Sequence, residues 1–352
     1  MKISEIDKNL KVEDASGLKD VVWLDTDEKP FRYHGLWRTE KGKPFLRMPE
    51  DIAAQVNEGV KGLNTHTAGG RIRFRTDSPY IALKAVMPDN GIMPHITMLG
   101  QAGFDLYRSD GGIYAFCGSF MPGERNHGYS SWVGTDGRMH TYTINMPLYD
   151  VVEAVYIGLA GSAQIDEAER YALEKPVLYY GSSITQGGCA SRPGNAYQAM
   201  ISRRFDADFI NLGFSGSARG EEAIRNYLAS LDASVFVCDY DHNAPNADHL
   251  EATHRPLYEA YRAANPDTPI VFVSKPDCHP GTEDVRRREI ILATYHCALA
   301  SGDRKVLFVD GARLFEGDFA DSCTVDGCHP NDLGFFRMAQ KIGNAVGAAL
   351  RM

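Results

Sequence analysis

No apolar run in this sequence approaches the ~18 residues that a membrane-spanning helix requires. The first eight residues also lack the apolar centre of a secretory signal peptide. Cysteine is scarce and odd in number: the seven residues show neither the spacing of a disulfide framework nor that of a metal motif. These absences predict reduced thiols, a cytoplasmic location and no membrane partner.

Basic charge is also in short supply. The chain carries 37 Lys and Arg against 46 Asp and Glu, a formal net charge of -9. Nucleic-acid binding needs a basic stripe, and none is visible, so a nucleic-acid partner is not expected. Hydrophobic residues make up 43% and charged residues 24% of the chain, as in ordinary globular proteins. A length of 352 residues suits two domains.

The first half of the sequence has the alternation of apolar and polar residues that half-buried antiparallel strands show. The clearest examples are Arg71–Thr76, Tyr80–Val86, His140–Met146 and Val152–Gly158. Gly, Pro, Asn and Asp separate these runs, and a short helix is predicted near residues 50–57. The pattern predicts a β-sandwich.

The second half alternates short apolar runs with amphipathic stretches. A polar stretch over residues 161–176 is interpreted as the linker, with the boundary near residue 170, so that the domains are 1–170 and 171–352. Buried parallel strands separated by helices predict a sheet covered on both faces. The predicted strands are 177–180, 208–211, 235–239, 270–274 and 306–310, and the predicted helices are 196–205, 221–230, 249–264, 283–300 and 333–350.

One stretch of the second half places a serine at the end of a strand, where catalytic residues are common. In residues 177–188 an apolar strand ends at Gly181, and Ser182 and Ser183 follow in a turn before the next helix. Open α/β sheets bind ligands at the carboxyl ends of their strands, and a backbone amide there can face a developing oxyanion. Ser183 is therefore the candidate nucleophile, although a Gly-Ser-Ser turn is often only a turn.

Four further segments should meet at the same edge of the sheet. Residues 211–216, 239–245 and 274–279 each follow a predicted strand, and residues 324–332 open the last helix. Asp326 and His329 are three residues apart, so the carboxylate can reach the imidazole and fix its tautomer. The other ring nitrogen could then take the proton of Ser183. The competing interpretation is that Asp326 caps a helix and His329 occupies a polar turn.

The polar residues of these segments also allow a metal site to be considered. The candidate ligands are Asp239, Asp241, His242, His279, Cys328 and His329, but no pair has the close spacing of a dedicated metal site. No metal is therefore predicted. Three of these residues are instead predicted to line a polar substrate pocket, namely Asp241, His242 and His279.

Four blocks of the sequence, taken in order, resemble the conserved blocks of the SGNH (GDSL-type) hydrolases. Gly181–Thr185 resembles the nucleophile block, residues 211–216 the glycine block, 239–245 the asparagine block and 326–329 the final Asp-x-x-His block. The resemblance implies a flavodoxin-like three-layer domain with a five-stranded parallel sheet. It also implies Ser183 as nucleophile, His329 as base and Asp326 as its orienter. The oxyanion hole it implies comprises the Ser183 amide, the Gly216 amide and the Asn243 side chain.

Two departures from the family pattern matter. The aspartate that precedes the nucleophile in the family is Ser182 here, which puts its bracing of the turn in doubt. The third block lacks its glycine, so His242 could align with the asparagine position in place of Asn243. In the first half, residues 103–107 resemble the Gly-x-Asp-Leu-Tyr signature of amino-terminal modules attached to some of these hydrolases, which implies a jelly-roll-like sandwich.

The chain is thus predicted to be a serine esterase that needs no cofactor. The predicted substrate is a short acyl ester, such as an acetate, of a carbohydrate or small alcohol. Two alternatives remain open. One is an acyltransferase that uses the same acyl-enzyme, and the other is a non-catalytic glycan-binding protein. The oligomeric state is not predicted.

Overall fold

The structure is a computed structural model that describes residues 15–88, 91–123, 127–277 and 280–352. Its first half contains two antiparallel sheets packed face to face. The four-stranded sheet has the order β1-β9-β4-β7, and the other has the order β10-β3-β8-β5-β6, with β2 paired to β3. The strands are β1 (Val21–Asp25), β2 (Arg32–His34), β3 (Arg71–Thr76), β4 (Tyr80–Val86), β5 (Phe104–Asp110), β6 (Ile113–Phe120), β7 (Gly128–Gly134), β8 (His140–Asn145), β9 (Ala154–Ala160) and β10 (Ile165–Asp166).

Alternation along the strands builds the sandwich core. In β3, Ile72 and Phe74 face inward and are fully buried, and Ile81 and Leu83 of β4 meet them from the other sheet. The predicted sandwich is confirmed, and β3 and β4 have the predicted limits.

Where one helix was predicted, between β2 and β3, the structure has two short helices. They are α1 (Glu50–Val56) and α2 (Glu58–Leu63). Asn57 separates them because its extended backbone stops α1, while its side chain accepts the Val60 N–H at 2.8 Å and caps α2. The buried side chains of both helices join the core of the second half. The third short helix is α3 (Met98–Ala102).

The second half is a parallel sheet between two layers of helices. Its order, β12-β11-β13-β14-β15, is the flavodoxin-like order, which confirms the predicted fold class. The strands are β11 (Leu173–Gly181), β12 (Ala207–Gly213), β13 (Val235–Asp239), β14 (Ile270–Val273) and β15 (Val306–Val309), and the helices are α4 (Ser183–Gln186), α5 (Tyr197–Phe205), α6 (Glu222–Ser230), α7 (Ala247–Ala264), α8 (Thr282–Ala300) and α9 (Asp332–Ala349).

Strand β11 lies inside this sheet, and its side chains alternate between the two helical layers. Val177 and Tyr179 face the layer of α5 and α9, and Leu178 and Tyr180 face the layer of α6, α7 and α8. All four side chains are buried, so the end of β11 is held firmly from both sides. The predicted boundary near residue 170 stays a prediction; β10 pairs with the sandwich and β11 with the parallel sheet.

No helix in the described part of the chain combines the length and apolar character needed to cross a bilayer.

Candidate active site

The turn after β11 presents Ser183 as the first residue of α4. Ser182 caps this helix, because its side-chain oxygen accepts the Ile184 N–H at 3.2 Å. The serine that replaces the family's aspartate therefore still braces the turn. Within the described residues, the Ser183 N–H donates to no protein group. An N–H without an intrahelical partner at the start of a helix is a suitable donor to an anion.

The loop before α9 brings Asp326 and His329 to this turn. Asp326 accepts the His329 backbone N–H at 2.8 Å, and its other oxygen lies 2.8 Å from His329 Nδ1. His329 Nε2 lies 3.0 Å from Ser183 Oγ. The structure thus joins the three predicted residues in one hydrogen-bonded chain. Asp326 does not cap α9, whose N-cap is Asn331. It accepts the backbone N–H groups of Cys328 and His329 within the loop and also holds the imidazole.

Charge is unevenly distributed along the hydrogen-bonded series of Asp326, His329 and Ser183. Burial acts to raise the pKa of Asp326, but the hydrogen bonds from His329 outweigh it and lower the pKa to about 2. The pKa of His329 is raised to about 9, first by the Cys328 thiolate and then by Asp326, against the opposing effect of burial. A negative environment therefore stabilises the imidazolium form of His329.

Gly216 and Asn243, the other two predicted oxyanion donors, follow β12 and β13, the strands on either side of β11. Gly216 has φ +67°, a left-handed conformation that glycine adopts without steric cost, and it is solvent-exposed. Asn243 ends a short 3₁₀ turn after β13. In the part of the chain that the structure describes, the Gly216 N–H donates to no protein backbone group, and the buried side-chain oxygen of Asn243 has no partner. Among the described residues, the Ser183 and Gly216 N–H groups are therefore backbone donors without a backbone partner.

His242 makes a contact of its own. Its Nε2 lies 3.0 Å from the Sγ of Cys328, the residue before His329. Burial alone would raise the pKa of Cys328, but the hydrogen bonds from His242 and His329 lower it to about 6. His242 thus contributes, through Cys328, to the charge around residues 324–331, which we call the histidine loop.

The other predicted pocket residues have different surroundings. Asp241 is 2% exposed, and its carboxylate accepts the Lys275 backbone N–H at 3.0 Å. The structure therefore places Asp241 in the protein interior. His279 lies outside the described residues.

Within the part of the chain that the structure describes, three of the six candidate metal ligands are not clustered with two other ligand-type side chains. The Asp239 carboxylate is buried and accepts hydrogen bonds from the hydroxyls of Thr185 and Tyr197. Among the described residues, Asp239, Asp241 and His242 belong to no group of three ligand-type side chains close enough to share an ion. His329 does lie in two such groups, one with Asp326 and Cys328 and one with His95 and Cys189.

The sandwich contributes residues to the site that the sequence did not reveal. The ring centroid of His95 lies 5.7 Å from that of His329. The buried Tyr149 hydroxyl donates to the Ser183 backbone carbonyl at 3.0 Å. Both residues come from connections between sandwich elements, where no local pattern marks them. The motif at residues 103–107 indicated a module attached to such hydrolases, but it did not point to His95 or Tyr149.

Comparisons with known proteins were consistent with this architecture. Residues 174–346 match the GDSL-like lipase/acylhydrolase family, and residues 21–165 match a family described as the N-terminus of SGNH-hydrolase-type esterases. A GDSL-like lipase structure from Bacteroides ovatus is 31% identical, with a TM-score of 0.83, and the match covers 94% of this chain and 98% of that one. A comparison with curated proteins gives no match.

More distant solved structures share the fold. The salicylyl-acyltransferase SsfX3 of a tetracycline biosynthetic pathway is 19% identical, with a TM-score of 0.77, and the match covers 95% of this chain and 99% of that one. The acetyl xylan esterase Est2A from the rumen bacterium Butyrivibrio proteoclasticus is 13% identical, with a TM-score of 0.57, and the match covers 95% of this chain and 99% of that one.

Proposed function

Because the chain belongs to the GDSL-like lipase/acylhydrolase family, we propose that it is a serine esterase acting through an acyl-enzyme, with Ser183, His329 and Asp326 as its catalytic residues. The observation that carries the proposal is the unbroken chain of contacts between them. Ser183 Oγ lies 3.0 Å from His329 Nε2, and His329 Nδ1 lies 2.8 Å from Asp326. These distances are those of a nucleophile and its oriented base.

In the proposed reaction the Ser183 proton moves to His329 Nε2 as Oγ attacks the ester carbonyl carbon. The oxyanion that forms accepts hydrogen bonds from the N–H groups of Ser183 and Gly216 and from the side chain of Asn243. The bond to the alcohol then breaks, and His329 returns the proton to the departing oxygen. A water molecule repeats these steps on the acyl-enzyme and releases the acid. No cofactor takes part.

We propose a short acyl group, such as acetyl, on a carbohydrate or small alcohol as the substrate. The support is twofold. The fold is shared with carbohydrate esterases, among them the acetyl xylan esterase. The surroundings of Ser183 are polar, since the imidazoles of His95 and His242 and the thiol of Cys328 lie around His329 and its loop.

An acyltransferase is the second candidate, favoured by the likeness to the salicylyl-acyltransferase over nearly the full length of both chains. The same acyl-enzyme would pass its acyl group to an alcohol instead of water. A purely glycan-binding protein is disfavoured, because such a protein has no need of hydrogen bonds that align a serine, an imidazole and a carboxylate.

The test is hydrolysis of 4-nitrophenyl acetate by the purified protein and by Ser183→Ala. We expect the substitution to abolish measurable turnover, because its loss costs about 10⁶-fold in serine hydrolases. Ser182→Ala is the matched control; it removes only a helix cap and should retain most of the activity. A fluorophosphonate should label Ser183, as read by peptide mass mapping. Equal activity in the wild type and Ser183→Ala would end the proposal.

A panel of esters then distinguishes the candidates. Acetylated sugars should be better substrates than long-chain acyl esters if the proposed substrate class is right. Added alcohol acceptors should increase the release of 4-nitrophenol and yield a new ester if the enzyme is an acyltransferase. Release of free acid alone, at every acceptor concentration, would favour the hydrolase.

A further inference from the structure

The Gly-x-Asp-Leu-Tyr motif lies at the contact between the sandwich and the second half. Asp105 is fully buried at the start of β5. One of its oxygens accepts the Asn145 side-chain N–H at 2.7 Å, and the other accepts Arg192 Nη1 and the Gly194 N–H, each at 2.7 Å. A buried carboxylate with this many donors is a strong, directional anchor.

Tyr107 completes the anchor. Its hydroxyl accepts a hydrogen bond from the same Arg192 nitrogen at 2.7 Å. The Arg192 guanidinium lies 5.4 Å from the Tyr107 ring centre, and that of Arg203 lies 4.1 Å from it. The two motif side chains thus bind one arginine by a salt bridge, a hydrogen bond and a cation–π contact.

Arg192 belongs to a segment that we call the bridging loop, residues 188–195, which joins α4 to the turn before α5. The sandwich also holds this loop through Thr97, whose hydroxyl donates to the Ser191 carbonyl at 2.7 Å. At Gly100 the contact is so close that an added methyl group would stand 2.1 Å from the Ala190 carbonyl oxygen. The bridging loop is therefore pressed against the sandwich along its length.

The other side of the bridging loop holds the histidine loop. The Cys189 N–H donates to the carbonyl of Pro330, the residue after His329, at 2.9 Å. Asp332 accepts the Ser191 N–H at 2.8 Å and the Asn195 side-chain N–H at 2.8 Å. A continuous set of hydrogen bonds therefore runs from the motif, through the bridging loop, to the residues that follow His329.

We propose that Asp105 is a positioning residue, which sets the place of the His329 imidazole relative to Ser183 through the bridging loop and Asp332. This inference rests on the proposed function for its kinetic readout. Removing the negative charge leaves the partly buried Arg192 without its ionic partner, and the bridging loop is free to move away from β5. A shift of about 1 Å at a catalytic group costs about 100-fold in rate.

The test compares Asp105→Asn with Asp208→Asn. Asp208 is the matched control, because it also pairs with an arginine and a histidine of the first half, Arg71 and His34. Among the described residues it has no hydrogen bond to the bridging loop or the histidine loop. Both substitutions should lower the melting temperature. At a temperature where both variants are folded, Asp105→Asn should lower kcat about 100-fold with little change in KM, and Asp208→Asn should leave kcat near the wild-type value.

A double variant tests the route. If Asp105 acts through Asp332, Asp105→Asn combined with Asp332→Asn should lose no more activity than the worse single variant. If the activity losses of the two single variants multiply in the double variant, Asp105 does not act through Asp332. If Asp105→Asn does not fold, Asp332→Asn alone decides: an unchanged kcat would overturn the proposal. Equal kcat losses in Asp105→Asn and Asp208→Asn would overturn it as well.

A spectroscopic readout separates this proposal from the proposed function. The proton shared by His329 Nδ1 and Asp326 gives a downfield NMR resonance, which should shift or broaden in Asp105→Asn and stay in place in Asp208→Asn. That result does not depend on which ester is cleaved. Absence of esterase activity in the wild type would refute the proposed function alone, whereas an unmoved resonance in Asp105→Asn would refute the positioning role.

Discussion

The charge around His329 predicts an unusual pH dependence that Cys328 should control. A base must be neutral to accept a proton, and the pKa of His329 is raised to about 9. At pH 7 only about one ring in a hundred would then be neutral. We therefore expect kcat/KM of the wild type to rise with pH until the pH passes about 9.

Cys328→Ser should move this rise to lower pH. The thiol, with its pKa lowered to about 6, is ionised at neutral pH, and the hydroxyl that replaces it carries no charge. Without that charge the pKa of His329 falls towards its ordinary value of 6.5, and the Asp326 carboxylate keeps it from falling fully. The first unit of decrease raises the neutral fraction at pH 7 about ninefold, and a fall to the ordinary value would raise it about 75-fold.

The assay is the pH profile of kcat/KM for 4-nitrophenyl acetate, followed at the isosbestic wavelength of the product and corrected for spontaneous hydrolysis. We expect Cys328→Ser to be about tenfold faster than the wild type at pH 7 and about equal to it above pH 9. Cys297→Ser, which changes a partly buried thiol on α8, is the control and should have the wild-type profile. Superimposed profiles for Cys328→Ser and the wild type would refute the reasoning.

Four other substitutions test the site and its support, and a fifth serves as a control. Asp326→Asn should lower kcat about 10³- to 10⁴-fold at unchanged circular dichroism, and full activity would remove this carboxylate from the mechanism. Asn243→Ala should lower kcat about 10²-fold or more, and His242→Ala less; the opposite order would assign the oxyanion contact to the histidine. Gly100→Ala should cost about 1–3 kcal/mol of unfolding free energy in a denaturant titration. Gly62→Ala, whose methyl group meets nothing within 4 Å, should cost nothing.

The parallel sheet was predictable because each strand is apolar on both faces. The strand predicted at residues 235–239 is observed as Val235–Asp239 without change. Strand β11 begins at Leu173, earlier than predicted. The prediction missed this start because Glu174 and Lys175 are exposed and polar. A pattern search for buried strands cannot detect the part of a strand that extends beyond its helical cover.

Some residues of the candidate site could likewise be predicted from the sequence, and others could not. The contact between Asp326 and His329 spans one turn, and Ser183 follows a strand directly, so local sequence carries both signals. The positions of His95 and Tyr149 depend on how the sandwich docks, and their neighbours in the sequence contain no trace of it. Likewise the motif at Asp105 could be recognised, but its partner Arg192 could not.

The helices α1 and α2 lie in the first half of the sequence, and their apolar residues are buried in the core of the second half. An excised fragment beginning near residue 170 would lose both helices and expose an apolar surface to solvent. We expect such a truncation to aggregate on expression. A chimera that borrows the sandwich of another family member would fold better if the donor sequence included both helices.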